Sequence, residues 1–357
     1  MIDRPVALSR IARAALFGAL FATMAACGSG GATPTPTAAP TPAVATPSAT
    51  SAIATSSSTG GTASPGTSPG TSPAAVQGGT VIAWGDNGQG QTKVPKGLTD
   101  VLAIAAGDEF GLAVKSDGTV VGWGANDSGQ TDIPAGLSGV VAISAGSSHA
   151  LALKSDGTVV GWGTVNDGQV APPSGLGSVV AVSAGGDHSL ALKSDGTVAA
   201  WGSDANGETD VPAGLKNVVA VSAGYDFSLA LLKDGTVVAW GDKYPTDTTI
   251  SLVKVPDGLS GVTALSAGYF HSLVVKADGT VAAWGSATDG LSTPPDGLSG
   301  VKSVAAGGDF SLALKSDGTV AGWGTKASGS LTFPASLKNV IAIDAGAAFA
   351  LALVRKP

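Results

Sequence analysis

Cysteine occurs once in the chain, at Cys27, so no intramolecular disulfide can form and the fold must be held by packing alone. Charge is scarce as well, at 13% of residues, and arginine is limited to Arg4, Arg10, Arg13 and Arg355. Nucleic acids and anionic membranes are bound by clustered Lys and Arg, so both are excluded as partners. No apolar run is long enough to cross a bilayer, and no amphipathic run of about ten residues or more supplies the helices of a helical solenoid.

The composition changes abruptly along the chain and divides it in three. Met1 to Ala26 holds three arginines, then a mostly apolar run from Ala14 that ends in Met24-Ala25-Ala26-Cys27. Small residues ahead of a cysteine resemble a bacterial lipoprotein signal. That resemblance implies lipidation of the Cys27 thiol, removal of residues 1–26, and attachment to a membrane through that lipid only. An ordinary secretory signal is the alternative. After Cys27, the stretch to Gly78 is almost wholly Ser, Thr, Pro, Ala and Gly without charge or aromatic residues, and it cannot bury a core. Residues 27–78 are therefore expected to form a tether. Extended at about 3.1 Å per residue it would reach on the order of 150 Å, and as a loose coil about 40 Å.

Residues 79–357 form the third part. Removing Arg4, Arg10, Arg13 and Asp3 from 19 basic and 26 acidic residues leaves 16 and 25, a net charge of about −9. Within this part tryptophan stands at 84, 123, 162, 201, 240, 284 and 323 and nowhere else, at steps of 39 residues apart from one of 44. A fixed period of this size marks a repeat architecture. Units begin at Gly79, Gly118, Gly157, Gly196, Gly235, Gly279 and Gly318. Runs such as Leu151-Ala152-Leu153-Lys154 and Val159-Val160-Gly161-Trp162 flank Asp156-Gly157, a pair favoured in two-residue hairpin turns. A short segment ending in proline, such as Thr131-Asp132-Ile133-Pro134, suits a sheet edge and is expected as a fourth strand. Four short antiparallel strands per unit of about 39 residues predict an all-β, seven-bladed β-propeller.

The Asp-Gly hairpin occurs six times for seven tryptophan strands, with its aspartate at 117, 156, 195, 234, 278 and 317. The missing one falls at the chain ends. Residues 80–85 are therefore expected to lie antiparallel to residues 349–354, which closes the ring and leaves no open sheet edge.

The recurring Ala-Gly-x-x-His-Ser-Leu-Ala-Leu-Lys-x-Asp-Gly-Thr-Val-x-x-Trp-Gly, best seen at Ala184 to Gly202, resembles the regulator of chromosome condensation repeat family over all of Gly79 to Pro357. With Gly-Gln-Thr-x-x-Pro-x-Gly-Leu-Ser-Gly-Val added, as at Gly129 to Val140, it looks closest to bacterial propellers of the type II β-lactamase inhibitory protein kind. Such a resemblance implies a seven-bladed propeller that binds another protein through one face.

His149, His188 and His271 share one repeat position, filled elsewhere by Phe110, Phe227, Phe310 and Phe349. Phenylalanine neither binds metal nor moves protons, so this position is expected to be a packed ring, with no catalytic residue, metal or cofactor. Turns such as Asp86-Asn87-Gly88 lack the acidic spacing of a calcium loop. The informative positions are those that vary. Two residues precede each His or Phe, and they read Tyr225-Asp226 and Tyr269-Phe270 in two adjoining units. The five-residue insertion near Tyr244 belongs to the second of these, the unit that begins at Gly235. Strand counting places Tyr225, Asp226, Tyr244, Tyr269 and Phe270 on one face, and exposed aromatics in a polar rim mark a binding site.

The expectation is a non-enzymatic, monomeric propeller at the cell surface or in the periplasm that binds an unidentified extracytoplasmic protein through these residues. A carbohydrate or cell-wall ligand is the alternative. Guanine-nucleotide exchange, the activity of eukaryotic family members, does not suit an exported protein.

Overall fold

Within every repeat, β-branched residues and leucine alternate with Ala, Ser or Gly, a pattern suited to short strands packed on both sides. The computed structural model describes residues 78–242, 251–326 and 328–355. The leader, Cys27, most of the tether, and Tyr244 lie outside them. The described chain forms seven three-stranded antiparallel sheets. Blade 1 has an inner strand Val101–Ala106, a middle strand Phe110–Lys115 and an outer strand Val120–Gly124. Blades 2 to 6 repeat this order, with inner strands Val140–Ala145, Val179–Ala184, Val218–Ala223, Val262–Ala267 and Val301–Ala306. Blade 7 takes its inner and middle strands from Val340–Ala345 and Phe349–Val354, and its outer strand from Thr80–Gly85 at the other end of the chain. The register runs from Thr80 opposite Val354 to Gly85 opposite Phe349, the closure that the hairpin count predicts. Phe349, Leu351 and Leu353 of blade 7 share a buried cluster with Val101, Ile104 and Trp123 of blade 1.

Two expectations need correction. The fourth strand does not form. Asp132 N donates to Gly129 O and Ile133 N to Thr131 O, each at 3.1 Å, and Pro134 has no N–H, so the segment spends its donors on local turns. It packs on the outer strand instead: a Cβ at Gly122 would lie 3.2 Å from Thr131 Cβ. The Asp-Gly hairpins, in turn, have three-residue loops. Gly118 N donates to Lys115 O at 2.9 Å, and Gly118 sits at φ +75°, a turn followed by a left-handed glycine.

The tryptophans join blade to blade. Each is 5–7% exposed and donates its indole N–H to a carbonyl of the preceding blade, as Trp162 does to Gln130 O at 2.9 Å and Trp84 to Ser330 O at 2.7 Å across the closure. Deeper in, at the channel, Ser144, Ser183, Ser222 and Ser266 each accept from the N–H that ends the next inner strand, at 2.9–3.1 Å. Blade 7 has Asp344 there. Its two oxygens accept from Ala106 N at 2.8 Å and Ala345 N at 3.0 Å, and the second serves the donor that Ala305 cannot. These side chains surround a cavity of about 130 Å³.

Candidate functional site

The loops divide between two faces. Connections from inner to middle strand and the turns after Trp-Gly share one face, because backbone bonds tie them: Ala125 N to Glu109 O at 2.9 Å, Thr164 N to Ser148 O at 2.9 Å, Asp242 N to Asp226 O at 3.0 Å. The first loop set brings Asp108, Glu109, Asp187, Asp226 and Asp309 to this face, and the second brings Asp86, Asp127, Asp167, Asp204, Glu208, Asp242 and Asp289. Among the described residues of these loops the cations are few, Lys326 and, at the end of the first turn, Lys93.

The opposite face is balanced. Lys115 and Lys154 pair with hairpin Asp117 and Asp156 at 2.7 and 3.0 Å, and Lys276–Asp278 and Lys315–Asp317 repeat the arrangement at 3.4 and 3.6 Å. Hydrogen bonds from Lys115 and Thr119 hold Asp117 well below the usual carboxylate range, and bonds from Thr158 and Lys154 lower Asp156. Bulged Val141, Val180 and Val219 are exposed there. Both ends of the described chain are on this side too: Gly79 bonds Val101 at the start of an inner strand, and Arg355 N donates to Asn339 O.

At the acidic face the inner strands converge on a channel mouth. Glycine is required at its rim because the edge of the ring three residues later packs against it: a Cβ at Gly107 would lie 2.0 Å from Phe110 Cε1. The next residues bond around the ring, as Tyr225 N does to Gly268 O and Tyr269 N to Gly307 O, both at 3.3 Å. Tyr225 and Tyr269 therefore stand side by side over the mouth, half-buried, with ring centroids 4.8 Å apart at 44°. Phe270 stands edge-on to Tyr269 at 5.9 Å. The fold brings these three and Asp226 to the same mouth, with Tyr225 and Tyr269 lining its cavity, while Tyr244 of the expected set lies outside the described residues.

Tyr269 reaches across the mouth. Blade 5 supplies its hydroxyl and blade 1 the Asp108 carboxylate that it approaches. Burial raises Asp108 to about 6, outweighing the opposite pull of Tyr269 and Ser147, and nearby Glu109 and Asp187 raise it further. Ser147 Oγ, on the same rim, has no partner within hydrogen-bonding distance, so its influence is that of a neighbouring dipole. Asp226 is likewise raised to about 6 by burial and by Glu208, Asp242 and Asp187. Burial raises Asp309 to about 6 and also raises Asp187, although the Asp187 side chain stays accessible. Burial pushes Tyr225 up to about 12 and Tyr269 well above its usual value. The mouth cavity itself holds about 60 Å³.

The histidines behave as packing. All three are fully buried, and burial lowers them to about 4, 3 and 4 for His149, His188 and His271. Ser189 Oγ donates to Gln169 O at 2.8 Å, so His149 Nε2 must carry the proton it shares with Ser189 at 3.0 Å. His188 with Ser228 and His271 with Ser311 repeat this. Among the described residues no group of three or more His, Cys, Asp or Glu could hold a metal ion, and no helix is long and apolar enough to cross a membrane.

Sequence reasoning does not single out Asp108 or Asp344. Asp344 is visible once inner strands are aligned, since its counterparts are Ser or Ala. Asp108 shows no such signal, because its role depends on a residue across the ring.

The regulator of chromosome condensation (RCC1) repeat matches residues 101–130, 140–169, 179–208, 218–243, 262–290 and 301–329. Among solved structures, Prp20p from Saccharomyces cerevisiae is similar at 20% identity and a TM-score of 0.68, over 79% of this chain and 93% of that one. Human WBSCR16 is similar at 20% identity and a TM-score of 0.63, over 77% and 98%. The ectodomain of the Physcomitrella patens receptor kinase CR4 follows at 22% identity and 0.57, over 69% and 68%. At these identities the likeness is one of fold. No curated protein matches this chain.

Proposed function

This chain belongs to the regulator of chromosome condensation (RCC1) repeat family, and on that footing we propose that it is a non-enzymatic binding propeller, exported and lipid-anchored at Cys27, that captures another protein through its channel-mouth face. One observation carries this reading: Tyr225, Tyr269, Phe270 and Asp226 gather at one mouth, while the chain enters the propeller on the opposite face. The point where the chain joins the propeller is thus away from the mouth loops. Half-buried aromatics set among carboxylates are the material of binding hot spots. Yeast Prp20p, which shares the fold, has binding properties toward Gsp1p and histones, both proteins. The likeness to inhibitory propellers adds the expectation that the captured protein is an enzyme.

The test compares the protein with its Tyr225→Ala/Tyr244→Ala/Tyr269→Ala variant after confirming equal melting temperatures. Capture of extracytoplasmic proteins should be lost in the variant. Unchanged capture overturns the reading, and binding on a glycan array without protein capture replaces it with a carbohydrate module.

A further inference from the structure

We infer that the partner meets the channel mouth with a cationic polypeptide segment, a lysine or arginine side chain seated over Tyr225 and Tyr269 and against Asp108 and Asp226. This rests on the binding face proposed above and names the chemistry that the face selects.

Three independent features point the same way. The first is the segregation of charge: among the described residues the mouth-face loops bear a ring of carboxylates against few cations, Lys326 and Lys93, while on the opposite face hairpin aspartates such as Asp117 and Asp156 pair with lysines. A one-signed face steers partners of the other sign and repels anionic ones, so acidic proteins and phosphate-bearing ligands are disfavoured. The second is the aromatic pair, whose ring faces attract a cation electrostatically and bury the apolar stem behind it. The third is unmet hydrogen-bonding capacity. Ser147 Oγ and Asp309 Oδ1 are both buried without a partner on this face. Among the described residues the influences on Asp226 include three other carboxylates and no cation. An ammonium or guanidinium carries only donors, which suits a rim where carboxylates crowd one another and some acceptor capacity is unmet.

The test uses the whole protein and deca-lysine as the probe, with deca-glutamate as its counterpart. Deca-lysine should bind, about tenfold more weakly when salt rises from roughly 50 to 300 mM, and deca-glutamate should not. Asp108→Asn/Asp226→Asn should weaken binding about tenfold, whereas Asp257→Asn/Asp296→Asn, which removes equal charge from exposed turns of the opposite face, should leave it unchanged. No binding of deca-lysine, or equal losses in the two pairs, overturns the inference. Suppose instead that protein capture is lost in the tyrosine variant but is indifferent to salt and to Asp108→Asn/Asp226→Asn. The binding face then stands and its cationic partner falls. If the tyrosine variant retains both capture and deca-lysine binding, both readings fail.

Discussion

Replacing Ser189 and Ser272 by alanine should move stability in opposite directions, although the two serines hold equivalent places in blades 3 and 5. Ser189 Oγ accepts from His149 and donates to Gln169 O, all of it fully buried. Ser189→Ala leaves the His149 Nε2–H without an acceptor in the interior and removes a bond to the carbonyl. An orphaned buried donor costs about 1–3 kcal/mol. With about 2 kcal/mol lost, the melting temperature should fall by roughly 4 to 8 °C for a domain of this size. Ser272 is just as buried, but the preceding blade faces it with Phe227, and its Oγ has no partner. Ser272→Ala removes an unpaired hydroxyl and should raise the melting temperature by roughly 2 to 4 °C. Phe227→His recreates the arrangement that His149, His188 and His271 make with the serines of the following blades. It should be tolerated while Ser272 is in place and harmful when combined with Ser272→Ala. Thermal unfolding of the four variants decides it. Losses of equal size for Ser189→Ala and Ser272→Ala would refute the pairing of blades through these side chains.

Two further outcomes follow from the joints between blades. Trp162→Ala vacates a buried site and breaks the bond to Gln130 O, so urea unfolding should show a loss of about 3–5 kcal/mol, and an unchanged midpoint would contradict burial. Asp344 is raised to about 6 by burial, so its stabilising contribution is complete below about pH 4 and is lost as pH rises through 6. The cost of Asp344→Asn should therefore shrink by up to about 3 kcal/mol between pH 4 and pH 7. The buried histidines, lowered to about 3–4, act in the opposite sense over the same range, so only the difference between variant and parent reports Asp344. A difference independent of pH would refute its burial.

Blade number and ring closure are legible in the sequence because they are set by periodicity: seven tryptophans, six Asp-Gly hairpins, and complementary chain ends at Gly79 and Val354. The RCC1 repeat matches six segments for the same reason, since the seventh blade is split between the termini. The fourth strand misleads because Thr131 to Pro134 carries a strand-edge composition, yet its donors are consumed within two turns. The coupling of His149 to Ser189 spans 40 residues and two blades. It appears in the sequence only as a coincidence of His with a later Ser, and Phe227 with Ser272 breaks even that. Placing Tyr225, Tyr269 and Phe270 together requires only counting strands. That Tyr269 reaches Asp108 requires the closed ring, since blades 5 and 1 are distant in the chain and meet only across the mouth.

Aspartate is treated differently on the two faces, and this separates structure from function more sharply than the aromatics do. The hairpin aspartates at 117 and 156 accept bonds from their own Thr and Lys, and folding lowers their pKa. They are what a turn needs, repeated blade after blade. Asp108, Asp226 and Asp309 are burdened by folding: burial and like charge raise all three, and among the described residues no lysine answers them. The repeat offers a less costly choice at the same places, because the equivalent positions hold Ser147, Ser148 and Ala348 without disturbing the ring. Carboxylates kept where the fold works against them need a reason outside the fold. A cation brought by a partner supplies one, since it relieves the repulsion among these carboxylates and converts a strain on stability into binding free energy.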